Sequence, residues 1–144
     1  MKPYYEHAGI TIYHGDCLRV LEHLAPHYGD KPFDLLLTDP PYGIGIAANP
    51  VRQAHARQDW DDSVPNPEVI TACIHAAKKA ILWGGNYFYL PRCQRFLIWD
   101  KQQPEDFSLA MCEMAWTNLT GPAKFSDSPS CLIARIIQRK SQRN

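Results

Sequence analysis

The chain of 144 residues has no net charge, no long apolar run and no pair of cysteines spaced as CxxC. Its 15 basic and 15 acidic residues balance, so binding to nucleic acid would need a local basic patch and not an overall attractive field. No stretch approaches the roughly 18 apolar residues that cross a bilayer. No basic segment followed by an apolar run marks a signal peptide. These absences predict a reduced, soluble protein of the cytoplasm with no membrane partner.

Cysteine and histidine are present but not in the arrangement of a metal site. The five cysteines are scattered and odd in number, which is unlike a disulfide framework. His14 with Cys17, and His23 with His27, have spacings that metal sites use, but no second pair completes four ligands. We therefore expect no metal.

The pattern of the first 40 residues predicts a strand, a helix and a second strand. "ITIYHG" (10–15) alternates β-branched and aromatic residues, and "CLRVLEHLA" (17–25) has helical apolar spacing closed by Pro26. "KPFDLLLTD" (31–39) contains three consecutive leucines, a pattern typical of a strand covered on both faces of a parallel sheet. The order indicates a βαβ unit in a single α/β domain over residues 1–144.

The second half alternates further elements with loops. A long loop is predicted over 43–65, and a helix over 67–80 begins at Pro67 with Asn66 as N-cap. Strands are predicted at 80–90, broken at Gly84 and Gly85, at 95–101 and at 112–119. A basic tail occupies 135–144, either as a solvated helix or as an arm that contacts phosphate.

Two acids, Asp16 and Asp39, follow predicted strands, where ligands of open parallel sheets bind. Either acid could simply cap the next helix or turn. Capping is a weaker explanation for Asp39, because Pro40 and Pro41 have no N–H to offer. Asp39 and the Pro40 carbonyl form a rigid pair of acceptors beside the flat ring of Tyr42. A planar group that carries an NH2, such as adenine, fits this arrangement.

The sequence Asp39-Pro40-Pro41-Tyr42 after an apolar strand resembles the catalytic motif of the DNA amino-methyltransferases, in the form of the adenine-N6 branch. "GDCLRVLEHL", "WGGNYF" and "FLIWDK" are similar to neighbouring segments of phage-type members, over roughly residues 10–125. The resemblance implies a Rossmann-like fold, S-adenosylmethionine as cofactor and double-stranded DNA as partner. It also implies a bacterial or phage-infected cell and a restriction-modification setting.

The resemblance also implies roles for individual residues. Asp39 and the Pro40 carbonyl would hold the target amine, Pro41 would stiffen the loop, and Tyr42 would stack on a base turned out of the duplex. The cofactor side would comprise Asp16, Cys17 and Asp39.

Three residues of the 43–65 loop, Arg52, Arg57 and Trp60, are expected to face DNA. The arginines would contact phosphates. Trp60 would either stack or wedge against bases, or pack the loop onto the core.

One family segment is missing from the sequence. The glycine-rich FxGxG-type turn that holds the methionine part of the cofactor is absent, and in permuted members it follows the catalytic half. In the family sheet order 3-2-1-4-5-7-6, this chain would supply strands 3, 4, 5, 6 and 7 and lack central strands 1 and 2. We therefore expect a truncated copy with an unpartnered "ITIYHG" strand and a bare apolar edge at "DLLLTD". Self-association or a second chain would supply the missing half.

Two other functions remain open from the sequence. One is a DNA-binding remnant without catalysis, which would use the 43–65 loop and the basic tail. The other is a methyltransferase acting on RNA or on protein glutamine, where Asn in place of Asp39 would be the more usual residue.

Overall fold

The computed structural model describes residues 1–29, 31–48, 56–104, 106 and 110–138. The helices are α1 (Cys17–Tyr28), α2 (Pro67–His75) and α3 (Pro129–Gln138), with 3-10 turns at Ile46–Ala48 and Gly85–Tyr87. The strands are β1 (Tyr5–His7), β2 (Ile10–Ile12), β3 (Phe33–Thr38), β4 (Ala77–Trp83), β5 (Arg95–Asp100), β6 (Cys112–Thr117) and β7 (Lys124–Ser126). No helix in these ranges is both long and apolar enough to span a membrane.

The chain forms two compact units. One comprises Met1–Leu36 and Pro65–Lys79, and the other comprises Leu37–Val64 and Ala80–Asn144. Of the predicted basic tail, the part up to Gln138 continues α3, and residues 139–144 lie outside the described ranges.

Helix α1 begins as predicted but ends later. Asp16 caps it by accepting a hydrogen bond from the Arg19 N–H at 3.2 Å. The helix continues through Pro26 to Tyr28, and the N–H of Gly29 at φ 76° closes it onto the Ala25 carbonyl. The expected end at Pro26 is therefore wrong. A proline removes one hydrogen bond and its ring crowds the carbonyl four residues earlier, but near the end of α1 the helix continues for two more residues despite these costs.

The predicted βαβ unit is not formed. Strand β2 pairs antiparallel with β1 in a separate two-stranded sheet, with Tyr5 opposite Ile12. Ala8 and Gly9 join these strands with φ values of 49° and 79°, the signs of a tight hairpin turn whose twist suits antiparallel strands. The prediction that the "ITIYHG" strand has no neighbour is also wrong, because this local hairpin satisfies it.

The larger sheet has five strands in the order β3-β4-β6-β5-β7. Strand β6 is antiparallel to β4 and β5, while β7 is parallel to β5, so the sheet is mixed and not fully parallel. Strand β3 lies at an edge, and Leu37 within it is 46% exposed. The prediction that both faces of β3 are covered is therefore wrong. Three consecutive leucines favour burial, but the elements packed against a strand decide whether burial occurs.

The core of the second unit lies on the central strands. Ile81, Leu82, Leu97 and Ala115 are fully buried there. The predicted helix over 67–80 ends at His75, and its last residues join β4 instead, because burying this segment outweighs the helix preference of Ala and Lys. Strands β5 and β6 confirm their predicted positions. Asn66 is confirmed as an N-cap, since its Oδ1 accepts the Glu68 N–H at 2.9 Å.

Candidate active site

The loop that follows β3 holds Asp39 and Tyr42 together. Asp39 is exposed, and the Tyr42 hydroxyl donates a hydrogen bond of 2.6 Å to its Oδ1. Between them, Pro40 and Pro41 fix two backbone φ angles and bring no N–H that could compete for the carboxylate. The loop therefore presents an acid whose position depends on an aromatic side chain three residues further along.

A buried acid, Asp61, organises this loop from within. Its carboxylate accepts backbone N–H groups from Tyr42 at 2.8 Å, Gly43 at 2.9 Å and Ile46 at 2.9 Å. Its own carbonyl accepts the Gly45 N–H at 3.0 Å, and its side chain is only 1% exposed. Hydrogen bonds to a charged acceptor are among the stronger ones in proteins, so they compensate for burying the carboxylate.

Sequence reasoning missed Asp61. The residue lies in the charged segment "RQDWDD", where it looks like one of several solvated acids. Its neighbour Asp62 is exposed and shows that sequence position alone does not distinguish the two. The available signal was the pair Gly43 and Gly45, because glycines with φ of 68° and 66° let successive N–H groups turn toward one acceptor.

The ring of Tyr42 is packed in an aromatic cluster. It stacks on Tyr87 with centroids 4.8 Å apart at 13°, and Phe88 meets it edge-on at 6.3 Å. A side chain at Gly84 would overlap the ring, so Gly84 lets the ring approach the backbone closely. Burial, followed by the hydrogen bond to Asp39, raises the pKa of the Tyr42 phenol far above its ordinary value. Even the ordinary pKa of a phenol, 10.0, keeps the hydroxyl protonated at neutral pH, and the upward shift extends its role as a donor to higher pH.

An open cleft of about 140 Å³ adjoins these residues. It is lined by Asp39, Pro40, Pro41, Tyr42, Ile46, Trp60 and Asp61. Trp60 borders the cleft and is 55% exposed. Arg57 is exposed on the same loop, and Arg52 lies outside the described residues.

Of the three residues expected on the cofactor side, Asp39 belongs to the same compact unit as the cleft, and Asp16 and Cys17 belong to the other unit. Asp16 is exposed and caps α1, as the capping alternative predicted.

Partial burial, followed by the neighbouring Cys17 thiol, raises the pKa of Cys73 to about 11. Across the described ranges, no group of three or more His, Cys, Asp and Glu side chains is arranged to hold a metal ion.

Comparison with known proteins found a methyltransferase. The chain is 31% identical over 111 residues to Type II methyltransferase M.ScaI of Streptomyces caespitosus. The match covers 69% of the chain and 32% of that protein, so the chain spans about a third of the relative's length. No family model and no solved structure matches the chain. The similarity supports a methyltransferase relationship for this chain.

Proposed function

We propose that this chain carries the catalytic loop of a DNA methyltransferase that transfers a methyl group from S-adenosylmethionine to the N6 amine of adenine. The observation that carries the proposal is the open cleft in which Asp39 and Pro40 adjoin Tyr42. The similarity to a Type II methyltransferase supports the class of reaction.

The proposed chemistry begins with two hydrogen bonds. The adenine amine donates one hydrogen to Asp39 and the other to the Pro40 carbonyl. The amine is a poor nucleophile because its lone pair is conjugated with the ring. Two acceptors on its hydrogens favour a tetrahedral nitrogen, an effect that is larger in the transition state than in the ground state.

The cofactor supplies a methyl group on a sulfonium sulfur. With the cofactor bound, the amine nitrogen held by Asp39 and the Pro40 carbonyl would accept this methyl group, the C–S electron pair would remain with sulfur, and the amine would lose one N–H proton to solvent. Asp39 orients the amine throughout and stabilises the positive charge that develops on nitrogen.

The cofactor fits the residues of this chain only in part. Exposed Asp16, with the backbone at Cys17, is proposed to contact the adenine of the cofactor. The sequence holds no glycine-rich turn for the methionine part. We propose that the glycine-rich turn and the central strands 1 and 2 are supplied by another segment or by a second chain.

The sheet order supports a Rossmann-like fold. The order β3-β4-β6-β5 corresponds to 4-5-7-6 in the family order, if the chain's strands are matched in sequence. Strand β3, the counterpart of strand 4, lies at the edge where strand 1 would pair. The agreement covers this part of the sheet only, and β2 does not join it as strand 3 would.

DNA is proposed to approach from the 43–65 loop. Trp60 borders the cleft with more than half of its surface exposed, which suits stacking against a base turned out of the duplex. Arg57 is exposed and is proposed to contact phosphate. Arg52 and the basic tail are proposed to contribute in the same way.

The test is methyl transfer from labelled S-adenosylmethionine to unmethylated double-stranded DNA by the chain together with the segment or second chain that holds the methionine part, with the product nucleosides identified by mass spectrometry. We expect N6-methyladenine, and a loss of at least about 100-fold on Asp39→Ala, because an acceptor for developing charge is removed. Asp62→Ala is the matched control, since Asp62 is an exposed acid of the same unit. Equal incorporation by wild type and Asp39→Ala would contradict the proposal, and N4-methylcytosine would correct the target base.

A further inference from the structure

We infer that Asp61 is a positioning residue that sets the carboxylate of Asp39 through Tyr42. The inference deepens the proposed function and rests on it for the role of Asp39. Two hydrogen bonds carry it: the Tyr42 N–H donates to Asp61 Oδ1 at 2.8 Å, and the Tyr42 hydroxyl donates to Asp39 Oδ1 at 2.6 Å. A buried acid is thereby linked to an exposed acid through one tyrosine.

The first link, the hydrogen bond from the Tyr42 N–H to Asp61, is rigid because Asp61 is held on several sides. Both of its carboxylate oxygens are engaged, Oδ1 by Tyr42 and Gly43 and Oδ2 by Ile46. With 1% exposure, water cannot replace any of these donors without opening the loop. Loss of one of these donors with the loop closed would leave a buried carboxylate oxygen short of a partner, which is costly. The backbone of Tyr42 is therefore held at a defined point.

In the second link, the hydrogen bond from the Tyr42 hydroxyl to Asp39, the donor is fixed because the ring of Tyr42 is held as well. Stacking on Tyr87 and the close approach to Gly84 limit rotation of the ring. With its backbone and ring both fixed, the hydroxyl lies at one place, where it donates to Asp39 Oδ1.

Asp39 is the exposed member of the chain of contacts. Solvent alone would leave its side chain free to change rotamer. The Tyr42 hydroxyl engages Oδ1 and leaves Oδ2 as the acceptor for the target amine. A displacement of about 1 Å in a group that orients a substrate can cost about 100-fold in rate. By fixing the Asp39 carboxylate, the Tyr42 hydroxyl therefore has a function distinct from that of the ring.

Three variants separate these contributions. Asp61→Asn keeps the shape of the side chain but places an NH2 either against the Ile46 N–H or against the Tyr42 and Gly43 N–H groups. Tyr42→Phe keeps the ring and the backbone N–H and removes only the hydroxyl. Asp62→Asn is the control, because it makes the same chemical change at an exposed neighbour.

The primary readout does not require activity. The ¹³C shift of the Asp39 carboxyl carbon is measured by NMR in the full chain, with amide exchange at Tyr42, Gly43 and Ile46. We expect Asp61→Asn and Tyr42→Phe to move the Asp39 signal in the same direction, and the double variant to move it no further than Tyr42→Phe. Exchange at the three amides should accelerate by about tenfold or more in Asp61→Asn, as the loss of a hydrogen bond implies. Asp62→Asn should leave all signals unchanged.

An Asp39 signal that is unmoved in Asp61→Asn, or shifts that add in the double variant, would overturn the inference. If Asp61→Asn does not fold, Tyr42→Phe alone still decides the second link, and an unmoved Asp39 signal there refutes it. In the methyl-transfer assay, Asp61→Asn should lower kcat by about tenfold or more with little change in KM for DNA, and should add nothing to Tyr42→Phe. Absence of methyl transfer by wild type would count against the proposed function, while the Asp39 signal would still decide the positioning role.

Discussion

Replacement of Gly84 by alanine tests the packing beneath Tyr42. Gly84 follows β4 with φ of 67°, a conformation that L-residues with a side chain rarely adopt. A Cβ at this position would lie only 2.6 Å from Cδ1 and Cζ of the Tyr42 ring. The ring is stacked on Tyr87 on one side and hydrogen-bonded to Asp39 through its hydroxyl, so it cannot move without losing contacts.

Two costs combine in this variant. The left-handed conformation costs an alanine about 1–2 kcal/mol. Overpacking against a held aromatic ring adds about 1–3 kcal/mol. We therefore expect Gly84→Ala to lower the free energy of unfolding by about 2–5 kcal/mol, a large part of the stability of a small protein.

Gly45→Ala separates the two costs. Gly45 has nearly the same φ, 66°, but a Cβ there would meet nothing within 4 Å. It should therefore cost only the conformational part, about 1–2 kcal/mol. Urea unfolding followed by tryptophan fluorescence measures both variants, and near-UV circular dichroism reports the tyrosine environment. A Gly84→Ala variant no less stable than Gly45→Ala would refute the packing described around Tyr42.

Two further predictions concern the core and a thiol. Leu97→Ala should destabilise the chain by about 2–5 kcal/mol, because the side chain is fully buried in β5 and its removal leaves a cavity. Leu37→Ala, at an exposed position, should cost clearly less. Equal costs of the two variants in urea unfolding would contradict the described core. The raised pKa of Cys73, about 11 against an ordinary value of 9.0, means that the unfolded chain releases the thiol proton first as pH rises through this window. Stability should therefore fall between these pH values, and Cys73→Ser should remove that part of the slope in unfolding curves recorded across the window; an unchanged slope would contradict the burial of this thiol.

Local signals predicted several features correctly because their causes act over a few residues. The Asn66 cap and the first residue of α2 follow from one side-chain oxygen and one proline. Strands β5 and β6 follow from runs of β-branched and aromatic residues. That the loop after β3 is stiffened by Pro40 and Pro41 stays a prediction, and it rests on the fixed φ of proline.

Pairing and helix ends were less predictable because distant residues compete for the same segment. "ITIYHG" is a good strand in any sheet, and the turn at Ala8 and Gly9 directs it to β1. The residues "AKKA" favour a helix by themselves, but burial of Ala77 and Ala80 places them in β4.

The sequence by itself determined the chemical groups of the candidate site: an acid, two prolines and a tyrosine at the end of a strand. The tertiary structure decided which acid is exposed at the cleft and which is buried within the loop. Asp61 and Asp62 are neighbours of identical type, and only the folded loop brings three N–H groups, from residues 15 to 19 positions earlier, to one of them. A carboxylate is stable in the interior only where such donors converge, and that convergence is a property of the fold.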